Sequence, residues 1–388
     1  MPFISGPDGD LKTAFVSDSW LLDQFVGNNL FTWGRNVYGQ LGDNTRTNRS
    51  SPTQTITGGS NWKSVSTSVD VSVAAIKTDG TLWCWGDNFS GQLGDNTISY
   101  KSSPVQTVAY GTNWKQVSAG ISAIKTDGTL WCWGYNASGQ LGDNTVVKKS
   151  SPVQTVAFGT NWKQVASGEG STAAIKTDGT LWTWGSNSYG GLGDNTVARK
   201  SSPVQTVAFG TNWKQVACGS SHTAAIKTDG TLWTWGKNTN GQLGDNTTID
   251  RSSPVQTIAG GTNWKQVAVA PQGVAVTACI KTDGTLWNWG DNGYGRLGDN
   301  TQTNRSSPIQ TIAFGTNWKS VDCGSSHAAA IKTDGTLWSW GANDLYGNLG
   351  DNTRINRSSP VQTITRGTNW ISVSCGGFIT AATTNGDL

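Results

Sequence analysis

Glutamate is all but missing from this chain: every one of its 25 acidic residues except Glu169 is an aspartate. Lysine, alanine and leucine fall into no helical pattern, so the composition points to an all-β protein. Histidine is scarce as well, with His222 and His327 in equivalent Gly-Ser-Ser-His slots. Each has a serine nearby but no distinctive acid, so no nucleophile–base–acid set is in view and no enzyme is expected. No phosphate loop or dinucleotide fingerprint is present, because the glycines sit in turns and not before a helix, and no cofactor is expected. No apolar run is long enough to span a bilayer, so membrane insertion is not expected. The opening MPFISGPDGD has neither a basic start nor a long apolar stretch, which predicts synthesis without a secretory signal. With 28 basic and 25 acidic residues the net charge is +3, which is no polycation and speaks against nucleic acid as a partner. The six cysteines form no CxxC pair and show no metal-ligand spacing. They are read as small apolar strand residues, with neither a disulfide framework nor a metal site.

What is present is repetition. The fullest copy is AIKTDGTLWTWGKNTNGQLGDNTTIDRSSPVQTIAGGTNWKQVA, residues 225–268, and a Trp-Gly pair marks each of seven copies at Trp33, Trp85, Trp133, Trp184, Trp235, Trp289 and Trp340. Their spacings are 52, 48, 51, 51, 54 and 51 residues, a period that means a repeat architecture. Of the 21 tryptophans only Trp20 lies outside the copies. The others suit the gaps between packed sheets.

Each copy reads as four strands: KQVA, AAIK, TLWTW and PVQTV. Asp-Gly in TDGT supplies the positive-φ position of the hairpin between the second and third. Four strands in each of seven copies predict an all-β, seven-bladed β-propeller. The segment ITAATTNGDL at 379–388 matches AAIKTDGTL and stops where Leu30-Phe31-Thr32-Trp33 resumes the motif. The two terminal half-copies are therefore predicted to meet in one composite blade, which removes open sheet edges. The run ACGSSHTAAIKTDGTLWTWGKNTNGQLG at 217–244 resembles the repeat of the regulator of chromosome condensation family, with the His222 position and the WG…GQLG run both matching. The resemblance covers residues 30–388 and also implies a seven-bladed propeller.

Residues 1–29 lie outside the repeats as an N-terminal arm, separate from a propeller at 30–388. Phe15, Trp20, Leu21, Leu22 and Phe25 make this arm a candidate anchor, either inserting into a partner or packing on its own propeller.

Repetition turns each surface residue into a ring. A cation precedes every Ser-Ser-Pro, from Arg49 to Arg357, and reads as a solvated loop charge. The Asp of Gly-Asp-Asn, from Asp43 to Asp351, reads as a turn residue bonding its own backbone rather than a calcium ligand. The informative positions are those where the copies disagree. The WGxNxxG loop holds Tyr38, Phe89, Tyr135, Tyr189, Tyr294 and Tyr346 in its variable slots, as well as Arg35. Tyrosine among Asn, Ser and Gly on loops over a rigid base is the composition of binding surfaces, so those six aromatics are the candidate binding residues. A second variable zone lies between KQV and AAIK. A third follows GDNT and holds Thr47, Tyr100, Val147, Ala198, Ile249, Thr303 and Ile355.

The expectation is a noncatalytic structural or binding protein: a propeller held by its arm in a larger protein assembly, with a phage tail, neck or fibre as the favoured setting. A host-surface protein or glycan is a further candidate partner. The rival readings are a regulatory propeller that binds another protein, as exchange factor or inhibitor, and a lectin-like module stacking tyrosines on sugar rings.

Overall fold

The computed structural model describes residues 27–388 apart from 57–60, 69–71, 110, 119–120, 158, 209, 274, 313–314 and 344. Among the described residues the strands form seven four-stranded antiparallel sheets and no helix. Each sheet is one blade. Blade 3 is typical, with strands Trp162–Ser167, Ser171–Lys176, Leu181–Gly185 and Lys200–Gln205 paired in that order. Blades 1, 2, 4, 5 and 6 span 62–106, 114–154, 213–256, 264–310 and 318–362. Blade 7 joins the two ends of the chain: Trp370–Cys375 and Ile379–Asn385 pair with Asn28–Gly34 and Arg49–Gln54. Leu30 faces Thr383 in this blade, where Leu181 faces Ile175 in blade 3. The junction between the two ends thus replaces the TDGT turn, as the half-copies predict.

The fourth strand differs from the expected PVQTV. It begins at the cation and ends at glutamine, as in Lys200–Gln205. The reason lies in its partner: Gly185 pairs with Lys200 across a bulge, so the polar Lys-Ser-Ser segment joins the ladder. A proline sits in this strand in every copy, where it faces the open outer edge and blunts further pairing. Gly185 has φ +105°, and a Cβ on it would lie 2.3 Å from the carbonyl oxygen of Gly170, so no other residue fits the end of the third strand.

The core lies between blades. Ile124, Leu130, Cys132 and Leu141 of blade 2 pack on Trp162, Val165, Ala174 and Trp184 of blade 3. Each Trp-Gly indole is fully buried and donates its Nε1–H to the preceding blade, as Trp184 does to the Gln140 carbonyl at 2.9 Å. Trp33 closes the circle by donating to the Asn348 carbonyl at 3.0 Å. Its neighbour in the core is the Asn-Trp indole of the same blade, with Trp162 and Trp184 at 6.1 Å between ring centroids. The remaining Leu-Trp indoles are half-buried on the outside. There the KTDG lysine is held between two rings, Lys176 lying 5.0 Å from Trp162 and 4.5 Å from Trp182.

The first strand of each blade lines a central channel of about 300 Å³. Four junctions between these inner strands share one device. Gln116, Gln164, Gln215 and Gln266 each donate to a valine carbonyl of the next blade at 3.0–3.3 Å and accept that valine's N–H at 3.1–3.3 Å. The amide side chain thereby acts as a fragment of extra strand. In blades 6, 7 and 1 the same position holds Ser320, Ser372 and Ser64, too short to reach. At two of these junctions the residue two positions on takes over. Asp322 accepts the Cys375 N–H at 2.7 Å, and the Ser374 hydroxyl accepts the Thr67 N–H at 3.0 Å.

Candidate functional site

Because the strands alternate in direction, the loops between first and second strands emerge on the same face as the loops between third and fourth. Ser186 N–H bonds the Gly170 carbonyl at 2.7 Å, and Arg35 N–H the Phe378 carbonyl at 2.9 Å, tying one loop to the other. All three variable zones of the sequence therefore share one face, here called the loop face. The TDGT turns lie on the opposite face.

The conserved frame of the long loop holds itself rigid. In blade 3, Asn187 donates through Nδ2 to Asp194 Oδ1 at 3.0 Å and to the carbonyls of Thr196 and Ala198, while its own oxygen accepts Leu192 N–H. Asp194 Oδ1 also accepts the N–H and hydroxyl of Thr196 at 3.0 and 2.7 Å. Asn195 follows with φ +60°, a conformation asparagine tolerates, and donates its N–H to Ser252 of the next blade. The predicted turn role of the aspartate ring is what the geometry displays. The cation ring is different from the expectation. Each cation pairs with the second oxygen of its own loop's aspartate, from Arg305–Asp299 at 3.0 Å to Lys200–Asp194 at 3.8 Å. The pairing arises because Asp Oδ1 is consumed by the turn while Oδ2 points at the strand that the cation begins. For Asp299, burial pushes the carboxyl upward, but hydrogen bonds from Thr301, Asn292 and Arg305 outweigh it and leave it below the usual carboxylate range. Both rings are internal to the scaffold.

The histidines are also scaffold. His222 Nε2 lies 3.0 Å from the Thr277 hydroxyl of blade 5, which itself donates to the Gln242 carbonyl, so the imidazole carries its proton on Nε2 and donates. His327 repeats this with Thr380 at 2.7 Å. Burial lowers His222 to about 4, and burial with the nearby Arg296 charge lowers His327 to about 3. Neither is a base poised near neutrality. The six cysteines are buried, and burial pushes their thiols up, as expected for apolar strand residues. Asp322 lines the channel, and burial raises it likewise, to about 6, against three hydrogen bonds that favour the carboxylate. Among the described residues no three His, Cys, Asp or Glu side chains converge as metal ligands would.

The six predicted aromatics all stand on the loop face, and the structure brings three of them together. Arg35 places its guanidinium between Tyr38 at 5.6 Å and Tyr346 at 5.5 Å. Tyr346 in turn meets Phe378 edge-on at 5.3 Å. On the other side Tyr38 lies 6.4 Å from Tyr100, over which Arg46 sits at 4.3 Å. Tyr38 and Tyr100 form a groove with Asp87, Phe89, Ile98 and Ser99. Phe89 is 75% exposed, with Lys148 5.3 Å from its ring. The result is an arc of aromatics and cations across blades 6, 7 and 1, with Lys148 reaching in from blade 2. Tyr135, Tyr189 and Tyr294 stand apart in blades 2, 3 and 5. Tyr189 carries Lys237, and Tyr294 stacks on the buried Arg296, which pairs with Asp291. Tyr100, Arg46 and Phe378 belong to the arc but were not among the predicted residues. Their signal was the lone aromatic in the slot after GDNT and the lone Phe in the zone before the second strand. The predicted anchor residues Phe15, Trp20, Leu21, Leu22 and Phe25 lie outside the described residues.

A closed seven-bladed propeller with one variable, aromatic-bearing face defines a class, and comparison with known proteins places the chain within it. The family model of the RCC1-like domain matches residues 121–388, and that of the regulator of chromosome condensation (RCC1) repeat matches 28–75 and 79–122. The chain belongs to the regulator of chromosome condensation repeat family. The ultraviolet-B receptor UVR8 of Arabidopsis thaliana is 32% identical over 364 residues, covering 92% of this chain and 71% of the receptor. The E3 ubiquitin-protein ligase HERC2 of Homo sapiens is 32% identical over 182 residues, 44% of this chain but only 4% of the ligase. Among solved structures, human WBSCR16 superposes with a TM-score of 0.81 at 20% identity, covering 93% of this chain and 100% of that one. Prp20p of Saccharomyces cerevisiae gives 0.78 at 20% identity, covering 93% and 92%. These two likenesses concern the fold.

Proposed function

We propose that this chain is a noncatalytic regulatory propeller that binds another protein through its loop face. The observation that carries the reading is the arc across blades 6, 7 and 1. Exposed aromatics and cations gather there on a scaffold whose ring of cations before Ser-Ser-Pro is paired within its own loops. Exposed aromatic residues with arginine are the side chains that dominate protein interfaces. The chain's relatives include a receptor and part of a ubiquitin ligase. A propeller of the same fold, yeast RCC1 (Prp20), has been solved with Kap60 bound. Nothing in these relatives favours a phage tail, neck or fibre, or a glycan partner, over a protein partner. Exchange factor and inhibitor both remain forms of this reading.

The test is affinity purification of the full chain from its native source beside two variants. Phe89→Ser with Tyr100→Ser alters the loop face, and Thr177→Arg with Thr228→Arg alters exposed turn positions on the opposite face. A protein that co-purifies with the wild type and the turn variant but not with the loop variant supports the reading. A protein lost only from the turn variant overturns it.

A further inference from the structure

Two sets of loop-face cations differ in how they are held, while Lys237 stands alone on Tyr189 away from the arc. Those before Ser-Ser-Pro each have an aspartate. Arg35, Arg46 and Lys148 have no carboxylate partner among the described residues and rest on aromatic rings instead. A guanidinium held flat against a ring keeps its N–H edge free for a second partner. Arg35 is half-buried between its two rings, and a carboxylate is the group whose shape answers the edge of such a guanidinium.

Beside these cations lies an apolar groove of about 740 Å³, walled by Tyr38, Phe89, Ile98 and Tyr100. Exposed branched residues such as Ile98, Val197, Ile249 and Ile355 recur around this face, but only at Ile98 do three aromatic rings, Tyr38, Tyr100 and the 75% exposed Phe89, join one into a groove. We infer that the arc receives an extended segment of a partner protein in which acidic residues flank an aromatic or branched apolar side chain. The apolar side chain fills the groove, and the carboxylates meet Arg46 and Lys148 at its rim and Arg35 beyond it. From Phe378 through Tyr346, Arg35 and Tyr38 to Tyr100 the steps are 5.3, 5.5, 5.6 and 6.4 Å. That path matches about seven extended residues at roughly 3.3 Å each. Asp87 stands in the groove wall, accepting Phe89 N–H and Gln92 Nε2–H, so the groove takes the apolar side chain and leaves the partner's carboxylates to the cations at the rim. With a net charge of only +3, the chain suits a segment with a few carboxylates better than a strand with a phosphate at every nucleotide.

This inference rests on the loop-face reading above and names the chemistry of its partner. A random dodecapeptide library panned against the full chain tests it. Enriched peptides are expected to be net acidic with a central aromatic or branched apolar residue. Their fluorescence-anisotropy affinity should weaken as salt rises. Arg46→Glu with Lys148→Glu changes two exposed residues, so folding is spared, and it should weaken binding about tenfold or more. Tyr135→Ala, outside the arc, should leave it unchanged. Enriched peptides that ignore the charge reversal but are lost with Tyr135→Ala or Tyr189→Ala would overturn the arc while leaving loop-face binding intact. Tighter binding of labelled oligo-dT than of any peptide would overturn it in favour of nucleic acid. No enrichment above an unrelated control protein would also overturn it, with the co-purification experiment still deciding the broader reading.

Discussion

Blades 2 to 5 and the sector formed by blades 6, 7 and 1 are built from the same repeat and yet differ in two layers at once. In the first region the inner strands are joined to the next blade by Gln116, Gln164, Gln215 and Gln266, and the loop tyrosines stand singly. In the second, serine replaces the glutamine, Asp322 and Ser374 make substitute bonds, and the loops above carry the aromatic arc. The closing blade sits in the middle of that sector. The lesson is that uniform blades hold the ring, whereas departures from the repeat mark side chains with another task. A repeat sequence is most informative where it breaks its own rule.

The largest effect should come from the element both regions share. Trp184→Ala removes a fully buried indole, its bond to Gln140 and its packing on Trp162, and should cost roughly 3–5 kcal/mol in denaturant unfolding. A loss below about 1 kcal/mol would show that the indoles between blades are not the core. The comparison itself is sharpened next by Gln215→Ala, which deletes a donor and an acceptor across a junction and should cost about 1–2 kcal/mol. Ser320→Ala, at the equivalent place in the other region, loses only a hydroxyl with no partner and should be near neutral. Equal costs would erase the distinction between the regions.

Two buried groups give opposite pH dependence. Asp322 is raised to about 6, so the native state holds its proton more tightly than the unfolded chain. Its contribution to stability is therefore greatest below the unfolded carboxylate range and declines as pH rises through 6, by at most about 3 kcal/mol. Asp322→Asn should flatten that decline between pH about 4 and 7. His222 is lowered to about 4, so the unfolded chain takes the proton first, and stability falls as pH drops from the usual histidine range toward 4. Thermal unfolding of Asp322→Asn and of His222→Gln against wild type across this window separates the two signs. The smallest effect is Tyr135→Ala, an exposed loop side chain, expected within about 0.5 kcal/mol of wild type.

Much of the fold was legible because repetition states the same thing seven times. The Trp-Gly period gave seven blades, and the match of 379–388 to AAIKTDGTL gave the composite blade. The start of the fourth strand was not legible, since Lys-Ser-Ser carries no strand signal and is recruited only by its bulged pairing with the Trp-Gly glycine. The ion-paired rings were missed for a similar reason: a cation and an aspartate six residues apart reveal nothing until the loop folds them together. Of the site, the variable slots could be read, and Tyr38, Phe89 and Tyr346 came from them. Tyr100, Arg46 and Phe378 belong to other zones, and their contacts form because each long loop leans on the next blade. Asn44 N–H bonding the Ser102 carbonyl is that lean at the arc. Such contacts between blades are invisible in any single copy.

The most direct test of the central claim is photo-crosslinking in the native source, with a photoreactive amino acid placed at Phe89 on the loop face or at Thr228 on the opposite face. The account predicts one protein crosslinked from Phe89 and none from Thr228. Crosslinks from Thr228 with none from Phe89 would contradict it.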